Sequence, residues 1–350
     1  MSAAAPRRGR RVGTRQVVQV AIGFTLCAAL LIWGLPHFAK TSWSEVWAIV
    51  DDLSLGHAAG FTALVLLGLW CYTFTLTGSL PGLSHLRALI VNVCGSSVSN
   101  LLPGGGAVGL AATFAICRSW GFRKRAISTS AIVTGVWNTL ARIALPLIAI
   151  VVLNAGRTDT PRLMREAAYA AVLSGLAIVA LFVGVIVSEA WAQRLGRMLD
   201  RLLRPLTRRM RRTMPIDELV TDLRTRTLAV VRSGWPAMTL GLVGYFAFYY
   251  LLFLAIMRTT GVDLFHGELF AAFAIGRLLT AVGVTPGGLG VTETGTAAAL
   301  VAWGAVPAEA TAGVVLFSIF THLMEVPLGA AGWLAWTALP QPGPPTDDPD

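Results

Sequence analysis

Six long apolar runs dominate this sequence of 350 residues. They cover residues 17–35, 58–77, 126–153, 167–187, 235–257 and 310–339. Each run matches or exceeds the roughly 20 residues that a helix needs to cross about 30 Å of hydrocarbon. Because unpaired backbone groups cost several kcal/mol in lipid, an apolar segment of this kind crosses the membrane as a helix. The runs therefore predict an all-α polytopic membrane protein.

The composition and the charged residues exclude several other classes of protein. Hydrophobic residues make up 55% of the chain and charged residues only 13%, whereas soluble domains carry about 25% charged residues. The net charge of +10 comes mainly from arginines placed between apolar runs, so we expect no nucleic-acid partner. The four cysteines lie within or beside apolar segments without the paired spacing of a metal site or disulfide framework. We therefore expect no metal and no cofactor.

The distribution of basic residues predicts the orientation in the membrane. If the N-terminus is inside and the two interrupted apolar stretches enter and leave on one side, 21 of the 28 Lys and Arg residues fall inside and five fall outside. This asymmetry follows the positive-inside rule for loops that flank membrane helices. No small-residue cleavage site follows the basic N-terminus, so we expect an uncleaved first helix. The sequence predicts a multi-pass protein of the cytoplasmic (plasma) membrane with both termini cytoplasmic.

Two apolar stretches, 86–117 and 269–303, are interrupted near their middles by glycine and proline. A shift of 183 positions aligns residues 103–121 with residues 286–304, and eight of the nineteen aligned positions are identical. The same shift places Arg142 opposite Glu325. Because the loop after the first copy is strongly basic and the loop after the second has no positive charge, the copies are expected to face opposite ways. The sequence therefore predicts an inverted repeat with two broken, re-entrant helical hairpins, as in secondary transporters.

The repeat also predicts the division of the chain. We expect a basic cytoplasmic N-terminus (1–16), a first membrane half (17–188), a basic cytoplasmic amphipathic segment (189–234), a second membrane half (235–339) and a disordered tail (340–350). The segment 189–234 fits either a helix on an anionic lipid surface or a solvated topology determinant. Residues 41–53 are expected to form a helix in the outer interface, where tryptophan is enriched.

The interruptions carry two related glycine-rich motifs. The first consists of Pro103, Gly104, Gly105 and Gly106, and the second of Pro286, Gly287, Gly288 and Gly290. Proline ends the incoming helix, and glycine permits a tight turn. The N-terminus of each outgoing half-helix would present free amides that attract an anion such as phosphate. The alternative is that both motifs are only tight turns that let helices pack closely.

Four ionisable residues fall at membrane depth: Arg142, Arg277, Glu293 and Glu325. Such residues cost at least about 2.5 kcal/mol each to insert, and they usually face a cavity or a partner. They would bind or translocate a substrate, or else form structural ion pairs.

Helix lengths predict how these groups are arranged. Arg142 and Glu325 each lie about 24 Å along their helices from opposite sides of the membrane, so a direct bridge between them is not expected. We expect Glu293 to be the partner of Arg142, in an outer cluster that includes Arg277. A second group is expected nearer the inner side, consisting of Glu325, His322, Asn100 and Asn138.

The segments NLLPGGGAVG, RSWGF and TPGGLGVTE resemble the transmembrane family of lysylphosphatidylglycerol synthases, which includes the flippase domain of the multiple peptide resistance factor and stand-alone relatives. The resemblance extends over about residues 17–339 and implies a lipid-translocating membrane domain. It places the first glycine-rich motif at the family's first motif and the second glycine-rich motif, together with Glu293, at the family's second motif. The first motif has Leu110 where the second has Glu293, so the halves differ chemically. Since the sequence ends at Asp350 without an aminoacyl-transferase domain, we expect no synthesis of an aminoacylated lipid.

These features favour a transporter or flippase for a polar or anionic lipid, with anionic or zwitterionic phospholipid as its partner. A secondary transporter of a small hydrophilic solute is the first alternative, and a non-transporting membrane scaffold is the second. The five histidines are too scattered for a catalytic or metal site, so no enzymatic activity is expected. The sequence leaves open whether the chain forms homo-oligomers.

Overall fold

The computed structural model describes residues 42–51, 53–102, 105–155, 216–280, 285 and 288–343, together with positions 166, 173, 177, 180 and 184. Regular structure within these residues is entirely helical. Four helices are long and apolar enough to cross a membrane: Leu55–Ser79, Lys124–Leu153, Asp222–Thr259 and Pro307–Ala338. The predicted all-α polytopic membrane protein is therefore confirmed. The expected runs at 17–35 and 167–187 lie outside the described residues, apart from four isolated positions.

Five helices lie in the described part of the first half up to residue 155. They are α1 (Trp43–Asp51), α2 (Leu55–Ser79), α3 (His85–Leu101), α4 (Gly105–Ser119) and α5 (Lys124–Ala155). Serine begins two of them, since the hydroxyls of Ser54 and Ser84 accept hydrogen bonds from backbone amides three residues later, at 3.3 and 3.4 Å. Such caps satisfy amides that have no partner within the helix. The first hairpin consists of α3 and α4.

In the second half, a long helix, a hairpin and a further long element follow one another in the same order as α2 to α5. It consists of α6 (Ile216–Thr259), α7 (His266–Leu279), α8 (Val291–Ala302), α9 (Pro307–Ser318), a π-helical turn (Ile319–Leu323) and α10 (Glu325–Ala338). The second hairpin consists of α7 and α8. Helix α6 passes without a break through position 235, where the second membrane half was expected to begin.

The shift found in the sequence also relates the helices, and residues 183 positions apart are called mates below. Helix α5 spans 124–155, and the element from α9 to α10 spans the mate positions 307–338. The turn of the first hairpin contains a hydrogen bond from Gly105 N to Leu102 O (2.8 Å), and its mate joins Gly288 N to Thr285 O (3.1 Å). Packing between the halves is reciprocal, because α3 contacts α10 whereas α7 contacts α5. The internal repeat is therefore present in the tertiary structure, and the inversion of its copies across the membrane stays a prediction.

Close backbone contact joins the halves where α2 crosses α6. A Cβ atom added to Gly234 would lie 2.1 Å from the carbonyl oxygen of Gly78. Nearby, the Thr75 hydroxyl donates a hydrogen bond of 3.1 Å to the Met238 carbonyl oxygen. Small residues at such crossings let membrane helices approach closely and gain van der Waals contact. This crossing fixes the two halves against each other around the site described next.

Candidate functional site

A cavity of about 460 Å³ lies between the two hairpins. Arg142 and Arg277 both line it, together with Glu325. Each hairpin turn also contributes, through Gly105 in the first half and Gly288 in the second. The volume falls within the range of about 300–1,000 Å³ that is usual for ligand pockets. The repeat thus brings both broken helices and most of the charges to one place.

Arg277 lies on α7 and is almost fully buried, with 6% of its surface exposed. Its guanidinium carbon stands 5.6 Å from the ring centre of Phe273 and 5.1 Å from that of Phe317. Its Nε atom has no hydrogen-bond partner in the described part of the chain. Since an aromatic face offsets only part of the cost of a buried cation, this guanidinium is able to bind an anionic group in the cavity.

Arg142 lies on α5 and is half-buried. It lines the same cavity as Arg277 and also a smaller neighbouring cavity of about 180 Å³. Within the described residues, no carboxylate forms an ion pair with either arginine. No direct bridge joins Arg142 to Glu325 among the described residues. Two unpaired guanidinium groups beside one carboxylate make the local charge positive.

Glu325 is buried at the start of α10, where an amide from the other half binds it. The Asn100 side chain donates hydrogen bonds to a Glu325 carboxylate oxygen (2.9 Å) and to the His322 carbonyl oxygen (3.4 Å). The π-helical turn before Glu325 contains a bond from Met324 N to Ile319 O, five residues back (2.9 Å). Single π turns in helices often occur at functional sites because they redirect side chains. Here the turn brings His322 and Glu325 to the same cavity.

Asn138 occupies the neighbouring cavity of about 180 Å³, which Arg142, Arg277 and Glu325 also line. Its side-chain nitrogen donates hydrogen bonds to the Tyr72 hydroxyl (2.8 Å) and to the carbonyl oxygen one turn earlier on α5 (2.9 Å). The two asparagines therefore lie close to Glu325, as the sequence predicts.

Glu293 lies in a pocket with Arg277, as the sequence places it, but not with Arg142. One carboxylate oxygen accepts a hydrogen bond of 2.5 Å from Gly290 N, and the other accepts one from the Ser318 hydroxyl. The first bond caps α8, and Gly290 itself has a φ of 85°, which favours glycine. Glu293 lines a small pocket of about 10 Å³ that Arg277 shares and Arg142 does not.

The expected pairing of Arg142 with Glu293 is therefore wrong, and so is the separation of Arg142 and Arg277 from Glu325 and His322. The depths were counted along straight helices that begin at the membrane surface. Helix α5 has 32 residues, or about 48 Å at 1.5 Å per residue, which exceeds the thickness of the hydrocarbon. Such a helix must tilt or protrude. On the element from α9 to α10, the π turn changes the direction in which Glu325 points.

The hairpin motifs are partly described. Gly105, Gly106 and Gly288 line the large cavity, whereas Pro103, Gly104, Pro286 and Gly287 lie outside the described residues. The N-terminus of α8 is covered by the Glu293 carboxylate, so the free amides expected there are already partly occupied.

Two tyrosines were missed by sequence reasoning. Tyr245 and Tyr249 lie one turn apart on α6 and line the large cavity, and their ring centres are 4.2 Å apart. In an apolar run, tyrosine usually indicates a packed core residue. The only available signal was their spacing of four residues, which places both hydroxyls on one helix face.

Comparison with known proteins assigns the family. Residues 16–329 match the family described as the lysylphosphatidylglycerol synthase TM region. None of the curated proteins compared with the chain matches it. The family match covers most of the chain and includes both hairpins and every residue of the cavity. The resemblance of the sequence motifs is thereby confirmed, and this membrane protein belongs to the lysylphosphatidylglycerol synthase TM region family.

Proposed function

We propose that this protein binds the anionic phosphodiester of a phospholipid and moves the lipid from one leaflet of the membrane to the other. The observation that carries the proposal is the pair of arginines, Arg142 and Arg277, at one cavity without a carboxylate partner in the described residues. Glu325 is the acidic residue among the described residues that line this cavity. With these three groups charged, a single phosphodiester would neutralise the cavity, and arginine binds phosphate through two parallel hydrogen bonds.

A lipid is favoured over a water-soluble solute by the neighbouring cavity of about 350 Å³ in the first half. This cavity shares Ser96, Ser99 and Asn100 with the charged cavity. It is also lined by the apolar Leu110, whose side chain is 49% exposed. A cavity whose lining passes from polar residues to an exposed leucine suits a head group held by the protein while its acyl chains stay in the bilayer.

In this proposal the protein acts as a transporter and not as an enzyme, because its charged residues bind the head group without a chemical step. The two halves expose the site alternately to either side, as inverted repeats do in secondary transporters. We place the protein in the cytoplasmic membrane with both termini inside.

The proposal is tested by reconstitution into liposomes with fluorescent lipids, whose movement between leaflets is followed by chemical quenching from outside. The lipid panel includes phosphatidylglycerol, phosphatidylethanolamine and a diacylglycerol that lacks phosphate. Arg142→Gln and Arg277→Gln should each slow phospholipid movement by roughly tenfold or more, since a hydrogen bond to a charged group contributes about 1.5–3 kcal/mol. The matched control is Arg232→Gln, at an exposed position on α6 outside the cavity.

The outcomes separate the candidate functions. Movement of the phosphate-containing lipids that both cavity variants slow, and the control does not, supports the proposal. Movement of every lipid at the wild-type rate by both cavity variants would refute the assigned site. Uptake of a water-soluble anion without lipid movement would favour the solute transporter.

A further inference from the structure

The cavity of about 350 Å³ in the first half has a counterpart in the second half. Its lining includes Leu110, Thr113 and Thr134, and the mates of these residues, Glu293, Thr296 and Phe317, line a pocket of only about 10 Å³. The same backbone framework is therefore open in one half and filled in the other.

Aromatic side chains fill the counterpart. Phe253, Phe273 and Phe317 line it, and the ring centre of Phe253 is 5.7 Å from that of Phe273 and 5.2 Å from that of Phe317. In the first half the mate of Phe317 is the smaller Thr134. The mate of Phe253 is Trp70, which is 45% exposed at the surface. The cavity of the first half therefore stays open because Thr134 is smaller than Phe317 and because Trp70, unlike Phe253, lies at the surface.

A polar bond holds the filled side together. Ser318 donates a hydrogen bond to the Glu293 carboxylate and so joins α9 to the start of α8. The mates of these two residues, Gly135 and Leu110, form no such bond. A Cβ atom added to Gly135 would have no heavy atom within 4 Å, and Leu110 is 49% exposed. Arg277 links the filled side to the charged cavity, because it lines both.

We propose that the first-half cavity is the path by which a lipid head group passes between one membrane face and the charged cavity. The filled counterpart is the second path, closed by a gate that consists of Phe253, Phe273, Phe317 and the Glu293–Ser318 bond. The first path changes from apolar at Leu80 and Leu83 to polar at Ser99 and Asn100, where it meets the charged cavity. This inference rests on the proposed function for the identity of the substrate.

Two threonines that are mates provide a matched test. Thr113→Cys and Thr296→Cys introduce the same small change into the open path and into the closed one. The full-length protein in lipid nanodiscs, whose two faces are both accessible, is treated with a small cationic methanethiosulfonate reagent. Peptide mass spectrometry then locates the modification, so the native cysteines remain. We expect the cysteine of Thr113→Cys to react at least tenfold faster than that of Thr296→Cys.

The gate is tested by replacing Phe317 in the second half with threonine, the residue that its mate position, Thr134, has in the first half. Phe317→Thr added to Thr296→Cys should raise the rate of modification at position 296 at least tenfold. The control Phe320→Thr removes a similar ring that packs against Phe61 outside the filled pocket, and it should leave that rate within about threefold. In the reverse direction, Thr134→Phe should slow the modification of Thr113→Cys.

Equal rates at the two positions, or no acceleration by Phe317→Thr, would overturn the assignment of path and gate. Modification does not require lipid movement, so the two proposals fail separately. Unequal rates without lipid movement in liposomes would refute the proposed function and support the path and gate for a different substrate. Lipid movement with equal rates would support the proposed function and refute the gate.

Discussion

The two hairpins have related sequences and the same internal hydrogen bond at their turns, yet their surroundings differ. In the first hairpin the arms are in backbone contact, since a Cβ atom on Gly109 would lie 2.5 Å from the carbonyl oxygen of Gly95. In the second, the mate of Gly109 is Thr292, and a carboxylate from Glu293 covers the helix start. The repeat thus determines the path of the backbone, and a few side chains make one half open and the other closed.

The largest effect is expected from the close contact in the first hairpin. Gly109→Ala would place its Cβ atom 2.1 Å from the Ser99 hydroxyl as well as against the Gly95 carbonyl oxygen. Because the backbone cannot move away locally, we expect a loss of about 3 kcal/mol in the free energy of unfolding. This is measured by titration with a denaturing detergent. Gly106→Ala, three residues earlier in an open position, should leave stability unchanged or raise it slightly.

A smaller effect is expected when the second half receives the residues of the first. Glu293→Leu leaves the Gly290 amide and the Ser318 hydroxyl without their acceptor, so we expect a loss of about 2 kcal/mol in the free energy of unfolding. Ser318→Gly in the Glu293→Leu background should cost less than Ser318→Gly alone, with a coupling of about 1.5 kcal/mol. If the two substitutions instead have additive effects, the Glu293–Ser318 hydrogen bond does not stabilise the second half, and it is not a cause of the difference between the halves.

The smallest effect concerns the tryptophans that end the two hairpins. Trp120 and Trp303 are mates, and each has a buried indole N–H without a described partner. The Arg87 guanidinium carbon lies 5.2 Å from the ring centre of Trp120. Trp120→Leu should therefore lower the apparent stability by about 0.5 kcal/mol more than Trp303→Leu. Arg87→Gln should remove this difference, and a difference that persists would assign it to packing.

Much of the fold follows from the sequence because its causes are local and repetitive. Apolar runs of sufficient length must become helices in lipid, and the turn motifs mark the hairpins. The shift of 183 residues found between the motifs also relates α5 to the element from α9 to α10. These features depend on the composition and spacing of segments, which can be read from the chain directly.

The site was predicted less completely. The sequence identified Arg142, Arg277 and Glu325 because a charge in an apolar run is conspicuous. It predicted that Glu293 lies beside Arg142. In the structure, Glu325 and His322 line the cavity of Arg142, and Glu293 does not. It also gave no reason to select Tyr245 and Tyr249, since tyrosines in apolar runs usually pack in the core.

The sequence by itself determined that this chain crosses a membrane, that it contains a repeat with two broken hairpins, and which charged residues fall within its apolar stretches. Only the tertiary structure decided which of those charges meet, that Glu293 caps a helix, and that one of two related cavities is filled. The physical reason is that the insertion of a segment into the membrane depends on the length and composition of that segment alone. The shape and charge of a cavity depend on helix tilt, a π turn and side-chain directions, which arise only when the helices pack together.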